Sequence, residues 1–193
     1  MSASQNPVAD HYSRGGLTER ITGALVESGL SLDALTPVDL VPAEHFHTGG
    51  ARATERFLER ITLPTRARVL DLGCGIGGVS RAIATRGDAH VTGIDLTPDF
   101  IATARALSAL VGLQDRTTFD VGSATEPVET GPFDVAVMVH VGMNIPAKDA
   151  IFETAHQALA PGGIFAIYEV MAGPEPGPLS LPVPWASMAE TSH

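Results

Sequence analysis

Val69-Leu70-Asp71-Leu72-Gly73-Cys74-Gly75-Ile76-Gly77-Gly78 carries a short apolar run into a glycine-rich turn. The spacing predicts a strand over 68–72, and the residues from 79 to 86 follow as a helix. Glycines between a strand and a helix remove Cβ atoms, so a ligand can lie against the backbone and meet the amides at the helix N-terminus. The run satisfies Gly-x-Gly-x-x-Gly through Gly73, Gly75 and Gly78, the dinucleotide pattern, and equally Gly-x-Gly-x-Gly through Gly73, Gly75 and Gly77. Asp95 closes the next predicted strand, 20 residues after Gly75, where a carboxylate can accept from both ribose hydroxyls of any adenosine cofactor. Neither feature separates the two patterns. Asp71 does: an acid two residues before the first glycine suits an ammonium or sulfonium ligand better than a pyrophosphate, although its carboxylate could also serve turn amides.

Outward from this turn, strands are predicted over 89–95, 117–121, 133–140 and 164–170. Between them lie helices over 97–111, with Thr97 as N-cap, Pro98 at the first position and Asp99 in the first turn, and over 147–159. The run at 133–140 is nearly continuous in apolar residues, as a parallel strand covered on both faces requires. Strand alternating with helix predicts an α/β fold with a doubly wound, mostly parallel sheet and ligands at the carboxyl ends of its strands.

Before residue 63 the pattern is helical: 17–30 and 51–61 show helical spacing, 31–35 is a short helix, and Pro37 and Pro42 break the chain into loop. Residues 1–62 are therefore expected to form a lid or cap and 63–171 the cofactor-binding core. A tail over 172–193 holds five prolines in thirteen residues and cannot continue a central strand.

The 193 residues suffice for one compact core, and 44% hydrophobic against 18% charged residues supports a folded interior. A net charge of -10 repels phosphate backbones and anionic lipid, which argues against nucleic acid as a partner. Cys74 is the single cysteine, so neither a disulfide framework nor a multi-cysteine metal site is available. The first seven residues lack the pattern of a secretory signal, and no run approaches the ~18 apolar residues of a membrane span. No membrane insertion and a reducing cytoplasm are the expectations.

With Gly93-Ile94-Asp95-Leu96, Gly122-Ser123-Ala124, Phe133-Asp134-Val135 and Leu159-Ala160-Pro161-Gly162-Gly163, the run from Val69 to Gly78 resembles class I S-adenosylmethionine-dependent methyltransferases. Phe46-His47-Thr48-Gly49-Gly50, His140-Val141-Gly142-Met143-Asn144-Ile145 and Pro182-Val183-Pro184-Trp185 are similar to the small-molecule branch: ubiquinone/menaquinone, sterol, phosphoethanolamine and glycine/sarcosine methyltransferases. The resemblance implies S-adenosyl-L-methionine as cofactor. It also implies in-line methyl transfer to a small-molecule N, O or C acceptor. Gly73, Gly75 and Gly77 would cradle the methionyl part and ribose, Asp95 would bind the ribose hydroxyls, Leu96 would pack on adenine, and Ser123 and Ala124 would edge that ring. Family members often carry an acid at the place of Ser123, which accepts here without charge.

No triad is needed, because the cofactor supplies the activation; a base serves only an acceptor that keeps its proton until attack. His140, at the carboxyl end of the fourth strand, is a candidate base or a methionyl contact, and His47 in the lid is a second candidate base. His45 and His47 lack the carboxylate or cysteine spacing of a metal site, so no metal is expected. Tyr12 and Trp185 are candidate lid aromatics, Tyr168 and Glu169 are expected to pack or orient neighbours, and Cys74 to fit sterically.

The resemblance further implies a helix and an antiparallel strand pair after strand five. Since the chain stops at His193, a truncated carboxyl end is expected, and 164–168 would lie on a sheet edge prone to pairing into a homo-oligomer. A cofactor-binding remnant without a finished acceptor pocket, and an NAD-dependent oxidoreductase sharing the glycine pattern, are the alternative functions.

Overall fold

The computed structural model describes residues 16–45 and 47–171. Tyr12, Phe46, Trp185 and the proline-rich tail fall outside the described residues.

Five strands, β1 (Arg68–Leu72), β2 (His90–Asp95), β3 (Thr117–Val121), β4 (Phe133–Val139) and β5 (Leu159–Tyr168), form one sheet in the order β3-β2-β1-β4-β5. All four pairings among these described strands are parallel. The strand order reverses between β1 and β4, which opens a crevice at their carboxyl ends.

Alternation of side chains along β4 explains why both faces are covered. Val135, Val137 and Val139 join Val69 and Val91 against Val79, Ile83 and Ala84 of helix α4 (Gly78–Ala84). Ala136 and Met138 face the other way, joining Leu70 and Leu72 against Ile151, Ala155 and Ala158 of α6 (Lys148–Ala158). α5 (Pro98–Leu110) connects β2 to β3.

The amino-terminal helices are α1 (Leu17–Glu27), α2 (Pro37–Glu44) and α3 (Gly50–Leu58), with a 3-10 turn at Leu32–Ala34. Ile21, Leu25, Leu35 and Leu40 close over Ile76 and Leu107, fixing this layer to the turn after β1.

Three expectations are corrected. Pro37 and Pro42 do not break the chain: Pro37 starts α2, where a missing N–H is no loss, and the Asp39 carboxylate accepts the Thr36 N–H at 2.8 Å. Pro42 deprives only the Val38 carbonyl of its helical bond, and Val38 is exposed to water. β5 begins at Leu159 rather than 164, because Leu159 already pairs with Phe133 and a register shift before Val135 takes up the Pro-Gly-Gly residues. Thr97 makes no side-chain cap; its main-chain N–H is held by Asp95 Oδ1 at 2.9 Å.

Candidate active site

At the carboxyl end of β1 the backbone turns sharply, and the N–H groups of Gly73 and Cys74 both bond the Ile94 carbonyl of β2, at 2.8 and 3.0 Å. The glycines of this turn divide by what surrounds them. Gly73 (φ +75°) would place a Cβ 2.4 Å from Val141 Cγ2, and Gly77 (φ +85°) would place one 2.8 Å from both Arg81 Nη1 and Phe119 Cζ. Space at these two positions is taken by the chain's own side chains. Gly75 (φ +54°) has nothing within 4 Å of a Cβ position, so the space beside its bare backbone is open.

Asp95 stands beside that opening. Its Oδ2 accepts the Gly75 N–H at 3.0 Å and its Oδ1 the Thr97 N–H, leaving further lone pairs on both oxygens. Burial raises its pKa above the usual carboxylate value, and the two amides counter that rise. Leu96, the next residue, is 40% exposed, an apolar surface at the rim. Ser123 Oγ lies 2.7 Å from Thr125 Oγ1 and accepts the Thr125 N–H at 3.1 Å, while Ala124 is buried beside Ile94.

Asp71 lies beneath the loop rather than in the opening. Only 1% exposed, it accepts from Ser80 Oγ of α4 at 2.6 Å and also from the Ser80 backbone amide. Burial pushes its pKa up to about 6, the nearby Asp95 charge adds to this, and the Ser80 hydrogen bond opposes it. Cys74 is buried, its sulfur against the backbone of Gly93, and burial drives its thiol pKa far upward.

Across the switch point, three segments bring rings together. His140 has φ +55° and donates its N–H to the Tyr168 carbonyl at 2.9 Å. Its ring centre lies 5.1 Å from that of Tyr168 and 5.5 Å from that of His47. Burial and the neighbouring His47 lower the His140 pKa, which keeps the imidazole neutral and able to accept a proton. His47 Nε2 is 2.9 Å from Thr54 Oγ1 and His45 Nδ1 is 3.2 Å from the same oxygen. Tyr168 donates its hydroxyl to the Thr48 carbonyl at 3.1 Å, pinning the segment before α3 to the end of β5.

Glu169 orients its neighbours as expected, whereas the partner of Arg81 escapes sequence reasoning. Glu169 Oε1 accepts the N–H groups of both Val141 and Gly142 at 2.7 Å, which seats Val141 on Gly73. Arg81, 1% exposed, gives Nε and Nη2 to Glu44 Oε2 at 3.0 and 2.5 Å, Nη2 also to the Ile76 carbonyl, and Nη1 to the Ala104 carbonyl and Ser108 Oγ. This pair ties α2 to the helix behind the glycine loop. No motif signals a partner 37 residues away.

The family model described as methyltransferase domain matches residues 65–184. Phosphoethanolamine N-methyltransferase 1 of Arabidopsis thaliana is 36% identical over 129 residues, 66% of this chain and 26% of the relative. Sterol 24-C-methyltransferase ERG6B of Gibberella zeae is 30% identical over 127 residues, 65% of this chain and 33% of the relative. The chain thus spans about a quarter to a third of these relatives' lengths. Among solved structures, phosphoethanolamine N-methyltransferase 2 of Haemonchus contortus in complex with S-adenosyl-L-methionine superposes with a TM-score of 0.60 at 30% identity. That match covers 65% of this chain and 29% of the other. Because the matched span exceeds half of the chain and contains the whole sheet, this protein belongs to the methyltransferase domain family, in its class I S-adenosylmethionine-dependent form.

Proposed function

We propose that this chain binds S-adenosyl-L-methionine in the crevice between β1 and β4 and catalyses methyl transfer to a small-molecule N, O or C acceptor. The observation that carries the reading is the opening at Gly75, where bare backbone, the Asp95 carboxylate and an exposed Leu96 adjoin. These residues suit an adenosyl compound: Asp95 has lone pairs for the ribose hydroxyls and Leu96 offers a flat apolar contact for adenine, with Ser123 and Ala124 at its edge. Gly75 would lie against the cofactor directly, while Gly73 and Gly77 shape the turn. Asp71 sets a negative field below the loop.

When bound, the cofactor supplies an electrophilic methyl group on a sulfonium. The protein then has to orient the acceptor, exclude water and, for an acceptor that still holds its proton, remove that proton. We assign this last task to His140, on the ground that it follows β4 with His47 and Tyr168 packed around it. The relatives named above act on an amine and on a sterol, so the acceptor is assigned here only as a small molecule. No described helix is long and apolar enough to cross a membrane. A cytoplasmic location is part of the proposal, on the ground of one buried thiol and an acidic surface.

Calorimetry with S-adenosylmethionine, S-adenosylhomocysteine and NAD tests the reading. Binding of the first two without NAD is the expected result, and binding of NAD alone overturns it. Transfer of labelled methyl to a pool of small amines, phenols and sterols then separates an active enzyme from a cofactor-binding remnant.

A further inference from the structure

We propose that Thr54 is a positioning residue that, together with the Thr48 carbonyl, fixes the ring proton of His47 on Nδ1, so that His47 is tied up and His140 is left as the imidazole without ring-nitrogen hydrogen bonds among the described residues. The part concerning His140 as base rests on the functional reading above; the part concerning Thr54 does not.

The argument is a count of hydrogens. Thr54, on α3, is 1% exposed, and its hydroxyl lies between His45 Nδ1 at 3.2 Å and His47 Nε2 at 2.9 Å. A hydroxyl has one hydrogen and can donate to only one of them. His47 Nδ1 faces the Thr48 carbonyl oxygen at 3.3 Å, and a carbonyl only accepts, so that nitrogen carries N–H. A neutral imidazole has a single N–H, which makes Nε2 of His47 an acceptor, and the Thr54 hydroxyl is the donor that serves it. Its one hydrogen committed, Thr54 can only accept from His45, which therefore also carries its proton on Nδ1.

The result is a directional chain: His45 N–H to Thr54, Thr54 O–H to His47, His47 N–H to Thr48. Burial and the neighbouring His47 and Arg81 push the His45 pKa down to about 4, consistent with a neutral donor. The Glu44 carboxylate, 3.9 Å from His45 Nε2, is beyond hydrogen-bond reach and does not compete. The opposite direction, with His47 donating to Thr54, would leave the Thr48 carbonyl facing a bare nitrogen. His140 makes no ring-nitrogen hydrogen bond within the described residues; its one bond is through the main chain.

Long-range proton–nitrogen NMR on the uniformly labelled chain reads tautomers directly, at about pH 8, above the ordinary imidazole range. His45→Gln and His47→Gln supply the assignments. Both rings are expected in the Nδ1–H form, with Thr54→Ser unchanged and Thr54→Val moving His47 toward Nε2–H. If Thr54→Val does not fold, the parent and Thr54→Ser spectra still decide. Acylation by diethylpyrocarbonate, read by mass spectrometry, should modify His140 about fivefold faster than His47 in the parent, a ratio equivalent to one ordinary hydrogen bond. An Nε2–H tautomer at His47 in the parent overturns the proposal, as does equal acylation of the two rings. None of these measurements uses the cofactor, so they stand or fall separately from its binding.

Discussion

The glycine loop after β1 is held by main-chain hydrogen bonds to the next strand, whereas the histidine group across the switch point is held by side chains from three separate segments. The first region needs one particular side chain beyond small ones: Gly73 and Cys74 hang from the Ile94 carbonyl, and the Asp95 carboxylate takes the Gly75 amide. The second depends on Thr54 of α3, Thr48 in the segment before it and Tyr168 of β5 arriving together. A backbone-built site tolerates change around it and a side-chain network does not. That contrast predicts where substitutions should act on stability and where on binding.

The strongest test breaks the tie between the two regions. Glu44 precedes the histidines and Arg81 follows the glycine loop, so Glu44→Ala leaves a buried guanidinium without its partner. A loss of about 3–5 kcal/mol in urea unfolding is expected, and replacing both residues by Met should recover most of it. If the single variant unfolds like the parent, the pair does not join the regions.

Next, Gly77→Ala should destabilise by about 2–3 kcal/mol, since it combines a left-handed backbone with a methyl group driven into Arg81 and Phe119. Gly75→Ala meets only the backbone preference, about 1 kcal/mol, yet its methyl group enters the crevice. It should therefore weaken S-adenosylhomocysteine binding more than it weakens the fold. The reverse ranking would mean that Gly75 is structural and Gly77 the open position.

Asp71 sharpens the comparison through pH. Its carboxyl titrates at about 6 in the fold against an ordinary 3.8, so the folded chain binds the proton more tightly and stability falls as pH rises between those values. Asp71→Asn, which keeps an acceptor for Ser80, should be about 2 kcal/mol more stable than the parent near neutral pH, the gap closing below about pH 4. Urea midpoints at the two ends of the range measure it. A gap that does not change with pH removes the buried charge as its cause.

Leu96→Ala should change least. Its partly exposed side chain predicts a stability effect within about 0.5 kcal/mol, with S-adenosylhomocysteine bound about fivefold more weakly through lost apolar contact. Unchanged affinity would take Leu96 out of the crevice's working surface.

The cofactor half was the legible half. Strand alternation, the glycine spacing and the terminal Asp95 are local signals, each readable within about twenty residues. Local signals also misled. Proline type alone marks Pro37 and Pro42 as breakers, but a helix start at Pro37 and the exposure of Val38 make them harmless. Asp71 carried the argument for a cationic ligand from its place in the chain, and only packing against α4 turned it inward onto Ser80. The histidine group was legible only in part: His47, His140, Tyr168 and Glu169 stand out in the sequence, but Thr54 is an ordinary residue until α3 turns it onto His45 and His47, as is Arg81 until the fold brings it to Glu44.

From the order of its residues alone, this protein was committed to a parallel α/β sheet with a bare-backbone turn and a carboxylate at the tip of β2. Apolar periodicity and glycine backbone freedom act over a few residues and need no distant partner. Tertiary structure decided which glycine has open space beside it, that Asp71 is buried, and that His47 but not His140 has ring-nitrogen hydrogen bonds among the described residues. Those outcomes depend on desolvation and on single donors shared between segments, quantities that do not exist until the segments meet.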